Sequence, residues 1–292
     1  MGEIELLALY WTVSGPVDVH YGREWSLFEW RDRCEQAART GFAGIGLWHA
    51  DIEHQLESRS LAEMKQIFDD AGLTYLELEF ISDFFVDRSE QARQVSDRRR
   101  KLLFEAAATF GAHHVKVGNI PGVPCEFGRL VEAYSELCAD AARQTSARVV
   151  YEFMPFDVNV NTLDAAIELV QGAAEPSGGL AIDTWHMAKL GITPDELRRI
   201  PLEYLTWFEL SDGQRETLPD PVDEVINHRR LPGEGEFDVA GYVQACRDHG
   251  FAGPWGVEVL SAELRKLPIE EEFRRAYDTS MAQFRAADRS AT

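Results

Sequence analysis

Four apolar stretches of this chain carry a carboxylate at or near their C-terminal end. VVYEFMPF holds Glu152, GLAIDTWH holds Asp183, LTWFELSDG holds Glu209 and WGVEVLS holds Glu258. A charge on a fully covered strand is unfavourable unless it sits where the strand meets solvent. Acids at the same end of four consecutive strands converge, and several carboxylates so close cannot all ionise without compensation. A hard divalent cation with oxygen ligands provides it. Such a cation can polarise a carbonyl and a neighbouring hydroxyl while a flanking carboxylate removes a carbon-bound proton. Separate arginine partners or helix caps would explain any one of these acids more readily than all four.

Other polar residues fall on the same side. In HHVKVGN, period-two alternation puts Val115 and Val117 on one face and His114 and Lys116 on the other. The valines suit a helix-covered face, so Lys116 is expected to point inward, near the rim. Glu77 and Glu79 share a face of the preceding strand, so Lys116 is either the partner of Glu79 or a substrate clamp or proton-transfer group. In GLWHAD, His49 and Asp51 either contact substrate or cap a loop. Trp11, Trp48 and Trp185 fall at strand ends, where they either wall off water from a substrate or pack as ordinary core. His113 and His114 are adjacent in a strand and should face opposite ways, which is no metal motif.

The elements needed to position these groups are legible. Candidate strands are Ile4–Tyr10, Gly44–His49, Thr74–Phe80, His114–Val117, Arg148–Phe153, Gly179–Asp183, Tyr204–Leu210 and Trp255–Leu260. Candidate helices are Ser26–Thr40, Ser60–Ala71, Ser96–Gly111, Phe127–Gln144, Thr162–Gly172, Thr193–Arg199, Asp238–Gly250 and Glu271–Ala286. Asp238 reads as an N-cap, Gly41 and Gly250 as C-terminal stops. Strict alternation implies parallel strands with crossover helices. Eight such units in 292 residues fit a single-domain α/β fold over residues 1–292, a (β/α)8 TIM barrel. A doubly wound open sheet is the runner-up, but no glycine-rich phosphate loop follows the first strand. Ser211–Glu236 reads as one long irregular stretch on the catalytic side.

Composition narrows the partners. The formal net charge of −21 opposes binding to nucleic acid or to an anionic membrane. A hydrophobic fraction of 45% supports a sizeable core. No signal peptide or membrane-length apolar run is visible, and the four cysteines form no CxxC pair. The expectation is a cytoplasmic protein without disulfides.

The segments YEFMP, IDTWH, ELSDG, RRLPGEGEFD and VEV, in this order, resemble the xylose-isomerase-like TIM barrel superfamily. Its members include sugar isomerases and epimerases, inosose dehydratases, dehydroshikimate dehydratases and apurinic endonucleases. The resemblance covers most of the chain and is strongest from Val149 to Glu258. It implies that Glu152, Asp183 and Glu258 are metal ligands, with Glu152 and Glu258 also moving protons. It further implies that His186 touches substrate and that Arg229 grips a substrate oxygen. Two positions depart from the pattern. Glu209 replaces the histidine on strand seven, which makes the ligand set all-carboxylate and favours one Mn2+ or Mg2+ ion over zinc. Val158 replaces a substrate-binding acid, which weakens a specific ketose 3-epimerase assignment.

The function expected is a divalent-metal-dependent isomerase or epimerase acting on a keto-sugar, polyol or cyclitol through a metal-stabilised enediolate. Candidate catalytic residues are Glu152, Glu258 and Lys116, and His186, Arg229, His49, Trp11 and Trp185 are candidates for substrate contact. The alternative is a lyase acting on an inosose, a dehydroshikimate-like acid or a 3-keto-glycoside. A non-catalytic binding subunit fits less well with the intact acid set, and an endonuclease fits less well with the acidic charge. A homo-oligomer is compatible with this reading.

Overall fold

The computed structural model describes residues 4–19, 22–120 and 122–290. Eight parallel strands close into a barrel in sequence order. They are β1 (Leu6–Ala8), β2 (Gly44–Trp48), β3 (Tyr75–Ile81), β4 (His114–Val117), β5 (Arg148–Glu152), β6 (Gly178–Asp183), β7 (Leu205–Leu210) and β8 (Trp255–Val257). The helices are α1 (Tyr10–Val13), α2 (Trp30–Thr40), α3 (His49–Gln55), α4 (Leu61–Asp70), α5 (Gln91–Phe110), α6 (Phe127–Gln144), α7 (Leu163–Ala173), α8 (Thr184–Lys189), α9 (Pro221–Asn227), α10 (Val239–His249) and α11 (Ile269–Ser290). The crossover between β6 and β7 holds α8 and then the 3-10 helix Pro194–Arg199, which is the helix the sequence suggests over Thr193–Arg199. α9 interrupts the stretch 211–236 that reads as irregular in the sequence. No helix among the described residues is long and apolar enough to cross a membrane. All four cysteines are free.

Period-two alternation divides each strand between two environments. Val149, Tyr151, Leu180, Ile182, Phe208, Leu210 and Val257 face the helical layer and form the main core. Leu7, Leu9, Val150, Ala181 and Trp207 form a smaller cluster inside the barrel. The inward positions of β3 and β4 are Glu77, Glu79, His114 and Lys116, all buried. A Cβ on Gly46 would lie 2.5 Å from Glu77 Oε2, so glycine on β2 makes room for that carboxylate. Gly256 does the same for Trp207, whose Cζ2 would lie 2.7 Å from an added Cβ.

The helices are placed by local chemistry. Ser60 and Glu63 form a reciprocal capping box at α4, Glu126 accepts from two amides at the start of α6, and Asp238 caps α10 through the Gly241 amide. α2 and α10 stop at Gly41 and Gly250, both at φ 110°, where a glycine carries no Cβ penalty. α2 begins at Trp30, four residues later than the sequence suggests. Ser26 is held in the preceding loop, its amide donating to Asp51 and its hydroxyl to Ser14 O.

Glu272 on α11 is buried away from the barrel mouth's acid cluster. Burial pushes its carboxyl up to about 9, and the Gly15 amide and Arg265 offset only part of that. The folded protein therefore retains a proton that the unfolded chain releases. This contribution to stability is complete below about pH 4.5 and is lost as pH rises through about 9. Glu272→Gln is expected to gain stability over wild type as pH rises across that window, measured by urea unfolding. A wild-type-to-variant difference independent of pH would show that the carboxylate is already ionised.

Candidate active site

The four rim acids lie side by side. Asp183 of β6 pairs in register with Glu209 of β7, and Glu209 pairs with Gly256 of β8. The Glu258 amide continues the ladder to Leu210 O at 3.1 Å. Glu152, Asp183, Glu209 and Glu258 each offer a carboxylate oxygen, and these oxygens lie within 4.8 Å of one another. Glu152, Asp183 and His186 form a second, overlapping group. Oxygens sharing a divalent ion at about 2.0–2.6 Å must lie within roughly 5 Å of each other, so the four acids fit one ion. Glu209 Oε2 is buried without a hydrogen-bond partner, as a donor oxygen reserved for a cation would be.

Three side chains interleave with the acids. Lys116 enters from β4, with Nζ 2.5 Å from Glu258, 2.9 Å from Glu209, 3.3 Å from Glu79, 3.6 Å from Glu152 and 3.8 Å from Glu77. It thus meets the expected Glu79 partner and four more carboxylates besides. Arg229 Nη1 donates to Asp183 at 2.6 Å and to Glu258 at 3.2 Å. Its guanidinium lies 4.9 Å from the Trp185 ring centre. His186 Nε2 is 3.2 Å from Glu152 and 3.6 Å from Asp183.

Six buried carboxylates therefore face two permanent cations, and the electrostatics reflect the excess. Burial raises the Glu209 carboxyl well above the usual range, with Glu258 adding to it. Burial likewise raises Glu258, against the pull of Lys116, and pushes Glu79 up to about 8. For Glu152, burial is outweighed by Lys116, His186 and Arg229, which hold its carboxyl at about 2. For Lys116, burial is outweighed by Glu152, Glu209 and Glu258, so the ammonium is retained. Adding a divalent cation to this set relieves the repulsion directly.

Above the acids, Tyr10, Trp11, Val17, Val19, Trp48, Phe80, Met154, Ile226 and Leu260 pack into a buried apolar collar. Trp11 and Trp48 lie 4.8 Å apart in it. Trp185 instead stands on α8 beneath Arg229. His49 opens α3 beside the Trp48 ring, 4.4 Å away. Asp51 is structural: Arg33 donates to it at 2.6 Å, inside the protein. Val158 is 56% exposed, unlike the buried acids. The His113 and His114 rings do not point apart but approach Nδ1 to Nδ1 at 2.9 Å. Asp212 accepts from the amides of Gly213, Gly233, Gly235 and Phe237, which shapes the Pro-Gly turn beside Arg229. The sequence reading leaves out the Trp207 indole, which donates to Glu209 Oε1 at 2.7 Å. Its signal was the Trp-x-Glu spacing, which places both residues on one face of a strand.

A closed parallel barrel with this rim places the chain in a known family. The sequence model of the xylose isomerase-like TIM barrel family matches residues 34–282, and the chain belongs to that family. The 3-dehydroshikimate dehydratase of Pseudomonas putida is 24% identical over 82% of this chain, which spans 37% of that protein. The inosose isomerase of Halalkalibacterium halodurans is 24% identical over 85% of this chain and 88% of its own length. Among solved structures, the IolI protein with a bound zinc atom superposes with a TM-score of 0.82 at 21% identity, over 97% of this chain and 99% of that one. The D-allulose 3-epimerase from Methylomonas in complex with D-allulose superposes with a TM-score of 0.72 at 16% identity, over 96% and 97%. The relatives matched in sequence are thus dehydratases and isomerases, and this chain spans 37% of the two Pseudomonas dehydratases; the likeness to the solved structures is one of fold.

Proposed function

We propose that this protein is a divalent-cation-dependent isomerase or epimerase acting on a keto-sugar, polyol or cyclitol. The observation that carries the reading is the convergence of Glu152, Asp183, Glu209 and Glu258 within 4.8 Å beside Lys116, His186 and Arg229. Those four acids are the proposed ligands, and their all-oxygen character favours Mn2+ or Mg2+. When bound, the cation would polarise a carbonyl and stabilise negative charge on its oxygen. Arg229 orients the substrate by donating to one of its oxygens, and His186 borders the same space. Glu258 takes the proton from carbon; Glu152, held ionised, flanks it and is the candidate for the return step. Lys116 keeps Glu258 and Glu209 in position, and the Trp11–Trp48 collar, with His49 at its edge, excludes water. Trp185 supports Arg229 from below. The partner implied is a small molecule, not nucleic acid or membrane, and a cytoplasmic setting accords with that.

A lyase acting on a dehydroshikimate-like acid, an inosose or a 3-keto-glycoside is the second reading. It shares the proton-abstraction step. The likeness to two Pseudomonas 3-dehydroshikimate dehydratases supports it, as does the valine at position 158 where the epimerases carry a substrate-binding acid. Metal analysis of purified protein, followed by a screen of keto-sugars, inososes and dehydroshikimate-like acids in D2O, tests both. Deuterium incorporation without loss of water supports isomerase or epimerase chemistry. Elimination of water establishes the lyase, and absence of bound divalent metal overturns the cation dependence of either. Glu209→His is expected to shift metal preference toward zinc. An unchanged metal profile would mean that Glu209 is no ligand.

A further inference from the structure

The carboxylates in the barrel do not surround a single point. Glu152, Asp183, Glu209 and Glu258 converge on the side of β6, where Arg229 and His186 also lie. Glu77 and Glu79 stand on β3, across the barrel. Lys116 Nζ reaches both of these at 3.8 and 3.3 Å, as well as Glu152, Glu209 and Glu258. Among the described residues, no ion pair joins Lys116 to Asp183. The two constellations thus share three carboxylates and differ in the rest: Asp183 on one side, Glu77 and Glu79 on the other.

We propose that the β3 side of this cluster is a second cation subsite, filled in this chain by the Lys116 ammonium instead of a divalent ion. A second observation points the same way. Both oxygens of Glu77 and Oε1 of Glu79 are buried without hydrogen-bond partners, so the subsite holds donor oxygens that one ammonium does not satisfy. An ammonium has three protons to give, and here the nearest go to Glu258 and Glu209. Hard divalent ions take six or more oxygen ligands, for which five carboxylates are ample. The lysine therefore sets the cation stoichiometry of the site. It provides fixed charge where a second ion would otherwise bind, and it leaves the substrate-facing subsite to a single exchangeable ion.

The inference rests on the first subsite binding a divalent ion, and Mn2+ content of wild type and Lys116→Met separates the two ideas. Protein is saturated with Mn2+, freed of excess and analysed for bound metal, with electron paramagnetic resonance of the same samples. One ion per chain in wild type, rising to two with a spin-coupled pair signal in the variant, is the expected result. One ion in both overturns the second subsite. None in wild type overturns the metal reading of the function, and one then gained in the variant shows a single cation position that the lysine occupies, which overturns the second subsite too. Removing a buried counter-charge could prevent folding, so Lys116→Gln with Glu77→Gln is prepared in parallel. It removes one acid with the lysine and keeps Glu79 and the three shared carboxylates, and it too should gain one ion over wild type. Failure to gain that ion overturns the proposal.

Discussion

Glu258→Gln is expected to abolish most turnover while leaving substrate affinity largely intact. Glu258 sits between Lys116 and Arg229, one oxygen toward each. Glutamine preserves the shape and one oxygen, but it cannot accept a proton from carbon. Loss of a general base typically lowers rate by about 10² to 10⁴. Burial also raises the Glu258 carboxyl above its usual range, which makes the ionised form a better proton acceptor. Two controls isolate the base role. Metal content must stay at the wild-type level, since weaker binding alone would lower activity. Exchange of the substrate C–H in D2O must fall along with product formation. A variant with full metal and near wild-type exchange would move the base role to Glu152 or Lys116.

The placement of these groups was legible because burial and alternation are both written in the strands. Lys116 is flanked by Val115 and Val117, which face the helical core, so its own inward direction followed. Glu152 and Glu209 were legible on a different ground, as acids at the C-terminal ends of apolar strands. The strand ends were less legible. The sequence suggests continuous strands over Ile4–Tyr10 and Trp255–Leu260, yet the strands span only Leu6–Ala8 and Trp255–Val257, each followed by a single further ladder bond, from the Leu9 amide to Val257 O and from the Glu258 amide to Leu210 O. Tyr10 and Leu260 are buried in the collar over the barrel mouth, which hides them as fully as a sheet would. Hydrophobicity alone cannot separate these two ways of being buried. Short helices such as α8 and α9 were missed for a related reason. A helix of two turns is held by its surroundings and its cap, not by its own periodicity. Asp183 illustrates this: it both ends β6 and caps α8 through the Trp185 amide. A loop-capping use of Asp51 is among the sequence expectations and the Ser26 amide bears it out, but the tertiary partners of Asp51 and Asp212 are not legible. Their partners, Arg33 and the turn amides at 233–237, are remote in sequence and become neighbours only in the folded chain.

Arg229→Met is expected to separate the stability role of this arginine from its role toward substrate. The side chain is buried, bonded to Asp183 and Glu258, and stacked near Trp185. Removing one partner of a buried ion pair leaves an uncompensated charge and costs about 3–5 kcal/mol. That loss should appear in urea unfolding of metal-free protein. A divalent ion held by the same carboxylates would supply the missing positive charge. With Mn2+ present the loss should therefore be smaller, because binding to the native state adds stability by mass action. Substrate affinity should fall under both conditions, since no ion replaces the guanidinium in the role proposed for it, donating to a substrate oxygen. Arg229→Lys gives the complementary result. A lysine restores the charge but not the planar fork, so it should recover more of the stability than of kcat/KM. An identical loss with and without Mn2+ would show that the cation does not sit against Asp183 and Glu258. A lysine variant with wild-type kcat/KM would show that the arginine supplies charge alone, and the orientation of the substrate would then fall to His186 and the metal ligands.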